Sequence, residues 1–292
     1  MIYMIIQLNK DFLNNFENNK VNNLVIGYFD GLHKGHQKLF DELVGDTSVL
    51  TFENVPKKVG LLYDANERIR QLFSHFSIND VYVFDVAQNN MTAIEFINSY
   101  LKKINPKLII VGEDFKFGSD QKDVNFLKDF FSVKVVARND DYSSSNIKKM
   151  LANSEFDLAN KELLENYYRS GVVVHNLKIS RNLGFPTANI EYDEKFLKLQ
   201  DGIYITKSIV KNKIYLSTSF IGIPKTFENI TKPSFESYLI DYDGPEFYGE
   251  KIKIEFYKRI ADVKKYDSID ELKKGIENQV QQTIEYFSNL NK

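Results

Sequence analysis

Two histidines stand in the most informative stretch of the chain, residues 26–36, which reads IGYFDGLHKGH. The apolar run 24–26 predicts a buried strand, the glycines indicate a turn, and a helix is expected to begin at the histidines. A helix N-terminus presents free backbone N–H groups and the positive end of the helix dipole, which suits an anion. His33 and His36 could donate hydrogen bonds to a phosphate there, and Gly35 would let it approach the backbone. The alternative is a turn whose histidines face solvent, but two of only four histidines in one such turn favour the phosphate site.

Two further stretches of the first half could complete such a site. Residues 111–118, VGEDFKFG, follow a predicted strand and offer aromatic walls for a ring, with Asp114 able to orient a polar ligand group. Residues 143–145 are serines before a predicted helix whose first turn carries Lys148. The serine hydroxyls could cap that helix or bind phosphate, and the lysine could add charge toward a triphosphate. Taken alone, the serines are more typical of capping and the lysine of a solvated surface.

Strands and helices alternate in the first half and would position these residues. Such alternation predicts a parallel sheet with right-handed crossovers, in which ligands bind at the C-terminal edge of the strands. The turn that carries the histidines lies at such an edge, which supports the site independently. The predicted strands are 24–26, 48–52, 80–84, 108–111 and 133–137, and the predicted helices are 37–43, 67–76 and 93–104.

After about residue 165 the pattern changes to apolar or alternating runs of strand length, separated by turn residues. This pattern predicts an antiparallel barrel or sandwich, followed by one long amphipathic helix over 268–289. The segment 145–168 is predicted to be mostly helical and to join two domains, 1–164 and 165–292. The predicted strands of the second domain are 170–175, 202–210, 213–218, 235–241 and 251–256.

The composition excludes several classes of protein. The 292 residues are enough for two domains, and a formal net charge of −2 gives no electrostatic footprint for nucleic acid. Without cysteine the chain has no disulfide, no thiolate metal site and no cysteine nucleophile. The apolar opening is too short for a signal-peptide core, and no later run reaches transmembrane length. A cytoplasmic protein without a membrane partner is expected, which could form a homo-oligomer.

Together these stretches resemble the bacterial riboflavin kinase/FAD synthetase family over essentially the whole chain. The His-x-Gly-His element is shared by many nucleotidyltransferases, whereas the Asp-Phe-basic-Phe-Gly pattern at 114–118 narrows the resemblance to the flavin-adenylylating branch. The resemblance implies a Rossmann-like domain that transfers AMP from ATP to FMN and releases pyrophosphate. FMN already carries an anionic nucleophile, so the enzyme must chiefly position the reactants and stabilise charge on the α-phosphate.

The family implies roles for particular residues of the first half. His33 and His36 would be catalytic, and Lys148 with Mg²⁺ would neutralise the departing pyrophosphate. The other residues implied are Gly27, Phe29, Asp30, Gly35, Ser143, Ser144 and Ser145 for ATP, and Asp114, Phe115 and Phe117 for the flavin.

In the second half, residues 183–190, LGFPTANI, are similar to the Pro-Thr-Ala-Asn motif of the riboflavin kinase module. The resemblance implies an antiparallel β-barrel in which Thr187 and Asn189 hold Mg-ATP; without it, the run is more typical of a simple turn. Glu236 aligns with the glutamate taken as the general base, which would accept the proton of the ribityl hydroxyl as it attacks the γ-phosphate. Its alternative is an exposed strand glutamate. Tyr248 is implied to help shape the flavin pocket.

The chain departs from the family pattern at several positions. Lysine replaces the usual arginine at Lys148, which keeps the charge but loses a bidentate fork, and the usual histidine before Pro56 is missing. The kinase half departs further, so we expect a working kinase that is slow or altered in affinity. Its departures are Asn176 and Ser180 in place of loop glycines, Phe220 in place of Asn, Lys225 in place of Pro and Ala261 in place of Arg.

The first of four functions is the one that the sequence predicts, and the other three are alternatives. The first is a bifunctional enzyme that makes FMN from riboflavin and FAD from FMN, using Mg²⁺ and ATP. The second is an FMN adenylyltransferase whose kinase half has become a flavin-binding or structural domain. The third is a flavin or nucleotide sensor that binds without turnover. The fourth, a nucleotidyltransferase for another phosphorylated substrate, would have no reason to carry the motif at 186–189.

Overall fold

The computed structural model describes residues 4–15, 21–41, 43–56, 58–137, 142–175, 183–226 and 230–290. The chain divides into two compact units, Met1–Asn146 and Ile147–Lys292. Asn176 and Ser180, which depart from the kinase pattern, lie outside the described residues. The domain boundary at 164/165 stays a prediction.

The first unit contains a six-stranded sheet in the order β1-β4-β3-β2-β5-β6, and every neighbouring pair is parallel. The predicted parallel sheet is therefore confirmed, and its five predicted strands agree with the structure to within two residues. β1 is not among the predicted strands; its apolar residues form a largely exposed strand at the edge of the sheet. The strands are β1 (Met4–Gln7), β2 (Asn23–Ile26), β3 (Thr47–Glu53), β4 (Asp80–Asp85), β5 (Leu108–Gly112) and β6 (Val133–Val136).

Helices connect these strands, and local side chains fix where several of them begin. The Asp64 carboxylate accepts a hydrogen bond of 2.9 Å from the Glu67 N–H and caps α3. A capping box between Thr92 and Glu95 starts the helical run 93–104, which contains a π-helical turn, Ile97–Leu101. The α-helices are α1 (Lys10–Asn15), α2 (Lys34–Phe40), α3 (Ala65–His75), α4 (Ala93–Phe96), α5 (Lys102–Ile104), α6 (Val124–Lys128) and α7 (Ser144–Ala152).

The order of the strands creates a binding position at the middle of this sheet. β2 lies between β3, which follows it in the chain, and β5, which follows much later. Ligands of open parallel sheets bind at such a switch point, beyond the carboxyl ends of the strands. The segments after β2 and β5 carry the histidines and residues 113–118, so the topology brings both predicted stretches to this edge.

The second unit is a closed six-stranded barrel in the order β10-β11-β8-β7-β12-β9, which settles the choice between barrel and sandwich. Every described strand pair in it is antiparallel. At one barrel strand, β8, the sequence predicts a turn at a strand entrance, and the structure shows that Thr187–Ile190 is the strand itself. The elements are α8 (Phe156–Glu162), β7 (Tyr168–Val174), β8 (Thr187–Ile190), β9 (Gly202–Val210), β10 (Lys213–Gly222), β11 (Ser234–Leu239), β12 (Lys251–Ala261) and the long helix α9 (Ile269–Leu290).

The inside of the barrel is partly filled by hydroxyl groups. The Thr218 hydroxyl pairs with that of Thr283 on α9 at 2.9 Å, so its neighbours on β10 point to the opposite, inner face. There Thr206 Oγ1 lies 2.7 Å from Ser217 Oγ and 2.8 Å from Ser219 Oγ. Hydroxyl–hydroxyl distances of 2.9 Å extend this network to β11. The fully buried members are Thr206, Ser208, Ser217, Ser219 and Ser237.

Apart from α9, the described helices are short. In α9 apolar residues recur every three to four positions, which gives an amphipathic helix. Among the helices formed by the described residues, we find none with the length and apolar character needed to span a membrane.

Candidate active sites

The two histidines of the first unit stack face to face at the start of α2. Their ring centroids are 3.7 Å apart and the ring planes meet at 23°. His33 is the N-cap residue, and its Nδ1 accepts a hydrogen bond of 3.3 Å from the backbone N–H of His36. Because Nδ1 is an acceptor, the proton of the neutral His33 ring sits on Nε2. His33 can therefore donate a hydrogen bond through Nε2, which lies 3.4 Å from Ser144 Oγ.

Both imidazoles are neutral at physiological pH. Burial lowers the pKa of His33 from its ordinary 6.5 to about 4. Burial lowers the pKa of His36 well below its usual range, and repulsion from the positive charge that His33 takes up on protonation lowers it further. The His36 ring interacts with the backbone of Gly31, and its buried Nδ1 atom has no hydrogen-bond partner among the residues that the structure describes. A buried, unsatisfied ring nitrogen is costly, so a ligand group that bonded to it would offset that cost.

The pKa of His33 has a consequence for stability. Between about pH 6.5 and about pH 4 the unfolded chain binds more protons than the folded protein, so the free energy of unfolding falls as the pH drops. We expect His33→Gln, which cannot take up a proton, to lose about 2 kcal/mol less than the wild type between pH 7.5 and pH 5. Urea unfolding followed by circular dichroism at both pH values measures this difference. Equal losses in the two proteins would contradict the burial of a neutral His33.

Gly35 sits where only a hydrogen fits. A Cβ atom there would lie 2.9 Å from His33 Nδ1 and 2.9 Å from the backbone oxygen of Tyr142. Gly27 is similarly enclosed, because a Cβ would meet Phe29 Cζ at 2.7 Å. Gly35, which is predicted to let phosphate approach the backbone, thus also permits the close packing of the histidine turn, as does Gly27.

Substituting Gly35 tests whether this packing sets the histidine geometry. We expect Gly35→Ala to push the His33 ring away from Ser144 and to lower the adenylyl transfer that the resemblance implies by roughly 10-fold or more, since an ångström of misplacement is costly. The control is Gln37→Ala, an exposed change on the same helix. Steady-state rates of that implied reaction compare the two variants. Wild-type rates in Gly35→Ala would show that the enclosure does not matter for activity.

Two residues predicted to bind ATP lie beneath the histidines. Phe29 has a positive φ of 57°, which turns its ring into the core. There the centre of its ring lies 5.3 Å from the centre of the His36 ring. The Asp30 carboxylate accepts hydrogen bonds from the N–H groups of Leu62 (2.9 Å) and Tyr63 (3.1 Å). Both side chains are buried and support the turn from below. Their role as ATP ligands stays a prediction.

Arg68 is a residue of this edge that sequence reasoning missed. Its buried guanidinium donates to the carbonyls of Tyr28 and Phe52 and to Thr51 Oγ1, and it lies 4.1 Å from the centre of the Tyr28 ring. Arg68 thereby connects the turn after β2 with the end of β3. Burial lowers its pKa. Nothing in the sequence distinguishes this arginine from an exposed one on an amphipathic helix.

The three predicted serines divide between two roles. The buried Ser143 Oγ accepts a hydrogen bond of 3.2 Å from the Asn146 N–H and so caps α7, as expected of a capping residue. Ser144 joins the histidine site through His33, whereas Ser145 is exposed. Lys148 lies one turn after Ser144 on α7 and is half-buried.

The predicted flavin residues after β5 also divide. Phe117 is buried in the core, and the partly buried Phe115 stacks on it at 5.6 Å with 12° between the rings. Asp114 is exposed at the turn. Gly118, at a φ of 74°, approaches the start of α4 so closely that a Cβ would lie 2.3 Å from the Ala93 nitrogen. Phe115 is thus placed to present an aromatic face, while Phe117 supports it.

The second candidate site lies on the outer face of the barrel, where β8 and β11 run side by side. Asn189 is opposite Glu236, and Thr187 is opposite Tyr238. Thr187 Oγ1 donates a hydrogen bond of 3.0 Å to Glu236 Oε2, and the Asn189 amide donates to Thr187 Oγ1 at 3.3 Å. The three residues implied by the kinase resemblance are therefore in contact. A hydroxyl and an amide oxygen are donors of the kind that Mg²⁺ accepts.

Glu236 opens into a cavity of about 540 Å³. That volume is in the range that holds a cofactor-sized molecule. Apolar walls come from β9, β10 and α9, whereas lysines and the catalytic candidates supply the polar groups. The residues that characterise it are Phe185, Thr187, Ile203, Phe220, Lys225, Glu236, Tyr238, Lys264, Tyr266 and Ile276.

The structure also places the positions that depart from the family pattern. Phe220 lies opposite Glu236 on β10 and lines the cavity. Ala261 ends β12 opposite Ile203 and does not appear in the described cavity wall. Tyr248 stacks on His175, with ring centres 3.7 Å apart, and is likewise absent from that wall. The structure therefore brings Phe220, but not Tyr248, to the cavity that contains Glu236.

Comparisons with known proteins cover both units. A family model described as FAD synthetase matches residues 15–148, and one described as riboflavin kinase matches residues 163–287. Bifunctional riboflavin kinase/FMN adenylyltransferases from Mycoplasma pneumoniae and Bacillus subtilis are each 32% identical, over 91% and 92% of this chain and 97% and 93% of their own. The trifunctional protein RibF/MnmA of Mycoplasmoides gallisepticum is 45% identical over 93% of this chain, which spans only 41% of that protein.

One solved structure matches this chain over nearly its full length. The crystal structure described as a macrolide-efflux protein from Streptococcus pneumoniae has a TM-score of 0.78 and 28% sequence identity, and the match covers 97% of this chain and 99% of that one.

Proposed function

Because this chain belongs to the family of bifunctional riboflavin kinase/FMN adenylyltransferases, we propose that its second unit phosphorylates riboflavin to FMN and its first unit adenylylates FMN to FAD. Each step consumes ATP. The presence of both family matches does not favour an adenylyltransferase with a degenerate kinase half. The sensor alternative is disfavoured because the residues implied to be catalytic are present in both units. His33 stacks on His36 in the first unit, and Glu236 contacts Thr187 in the second.

The stacked histidines carry the proposal for the first unit. An oxygen of the FMN phosphate attacks the α-phosphorus of ATP, the bond to the bridging oxygen breaks, and pyrophosphate leaves. Negative charge grows on the α-phosphate oxygens during this step, and preorganised donors stabilise it. His33 donates through Nε2, and the unsatisfied nitrogen of His36 lies beside it. A neutral imidazole keeps one N–H donor, so each ring can donate one hydrogen bond without carrying a charge.

The contact between Glu236 and the Thr187–Asn189 pair carries the proposal for the second unit. The ribityl hydroxyl of riboflavin attacks the γ-phosphorus of ATP and gives its proton to Glu236, while ADP leaves. Thr187 can donate its proton to Glu236 and still offer oxygen lone pairs to a cation, so the donor set fits Mg²⁺. When bound, Mg²⁺ would neutralise the phosphate charge. We place the flavin ring against the apolar walls near Phe220 and Ile276.

Chromatography of flavins tests both proposals together. Purified protein is incubated with ATP and Mg²⁺ and with either riboflavin or FMN. We expect FAD from both reactions, with FMN as an intermediate in the first. FAD from FMN alone would show that the kinase half is inactive, and no product in either reaction would favour a sensor.

A further inference from the structure

The carboxylate of Glu236 is held from both sides by hydroxyl groups. Thr187 Oγ1 donates to Oε2 at 3.0 Å, and Ser234 Oγ donates to Oε1, also at 3.0 Å. Thr187 is already expected to contact the cation. Ser234 has no part in the proposed function so far, although it also lines the cavity.

The pleat of β11 explains why Ser234 can reach this oxygen. Residues two apart on a strand point to the same face, so Ser234 and Glu236 share the outer face with Tyr238. The burial of the strand alternates accordingly, with Phe235 and Ser237 buried on the inner side. The contact is therefore built into the strand and does not depend on a loop.

Two hydroxyl donors on opposite oxygens fix the plane of a carboxylate, whose terminal torsion is otherwise broad. A carboxylate oxygen has two lone pairs, so accepting one hydroxyl proton donor does not prevent it from taking up a proton. A base already in position when the substrate arrives needs no rearrangement in the transition state. Hydrogen bonds to a charged acceptor are stronger than neutral ones, which suits this purpose.

We propose that Ser234 is a positioning residue for riboflavin phosphorylation, which orients the Glu236 carboxylate toward the attacking hydroxyl. This inference rests on the proposed role of Glu236 as the general base. Ser234 acts through Glu236 and does not touch the reacting atoms. Loss of its hydroxyl should therefore slow the chemical step and leave substrate binding nearly unchanged.

The test compares Ser234→Ala with Ser234→Thr in the full-length protein. We expect Ser234→Ala to lower kcat for FMN formation by roughly 10-fold, with KM for riboflavin and ATP within about 2-fold. Ser234→Thr keeps a hydroxyl and should restore most of the rate. Formation of FAD from FMN in the first unit serves as the internal control and should not change.

A double-mutant cycle separates positioning from general stability. If Ser234 acts through the carboxylate, adding Ser234→Ala to Glu236→Gln should not slow FMN formation further. An equal loss in both backgrounds would overturn the inference, as would wild-type kcat in Ser234→Ala. These results leave the proposed function intact. Wild-type protein that makes no FMN from riboflavin would overturn the proposed function, and this inference with it.

Discussion

Replacing His36 with alanine is expected to lower FAD formation from FMN by about 10²- to 10³-fold, the usual cost of removing one donor to a developing charge. The ring carries a buried nitrogen without a partner in the described part of the chain, and its centre lies 3.7 Å from that of the His33 ring. Its removal takes away a hydrogen-bonding nitrogen and also leaves His33 without its stacked neighbour. FMN formation from riboflavin belongs to the other unit and should be unchanged. Single-turnover assays of the two reactions measure both rates on one protein.

The matched control is again Gln37→Ala, because it shortens an exposed side chain of the same helix by a similar length. A second variant, His36→Gln, keeps an amide N–H and should recover part of the rate if donation matters more than packing. Adenylyl transfer at the wild-type rate in His36→Ala would show that the phosphate does not bind at the histidine pair.

The second large effect is expected from Glu236→Gln, which should reduce FMN formation by about 10²- to 10⁴-fold, the usual contribution of general base catalysis. Glutamine has nearly the same shape and can still accept hydrogen bonds from Thr187 and Ser234. It cannot take up the proton of the attacking hydroxyl. Riboflavin should still bind, which quenching of flavin fluorescence measures, and FAD formation from added FMN should persist.

The control for this variant is Glu277→Gln on the exposed face of α9. It removes the same charge from the same unit without touching the cavity. A Glu236→Gln protein that phosphorylates riboflavin normally would assign the base to another group. Loss of riboflavin binding together with activity would instead indicate that Glu236 holds the substrate.

The sheet could be predicted from the sequence because its strands are apolar runs with turn residues on either side. For β8 the sequence indicates only a turn at a strand entrance, because Gly184 and Pro186 stand just before it, and the strand Thr187–Ile190 pairs with β7 and β11. Those partners are distant in sequence, so no local pattern shows them. The prediction for the long helix α9 agrees with the structure to within one residue at each end, since the helical spacing of apolar residues continues over 22 residues.

The histidine turn shows what a motif can and cannot tell. Residue types and spacing predicted a site at a helix start, and the structure brings His33, His36 and Ser144 together there. Spacing does not tell which way a side chain points. The positive φ of Phe29 turns its ring inward, and the Asp30 carboxylate bonds backbone groups that lie more than thirty residues away.

The hydroxyl network inside the barrel helps to set the register of β11, the strand that carries Glu236. If β11 slipped by one residue against β10, every side chain on it would exchange faces. Glu236 would then enter the barrel, and Ser208 and Ser219 would each lose their hydrogen bond to Ser237. Losing buried hydrogen bonds is costly, so the network penalises that misalignment more than an apolar filling would. The buried hydroxyls on the inner face of β11 thus help to fix the register that places the Glu236 carboxylate on the outer face.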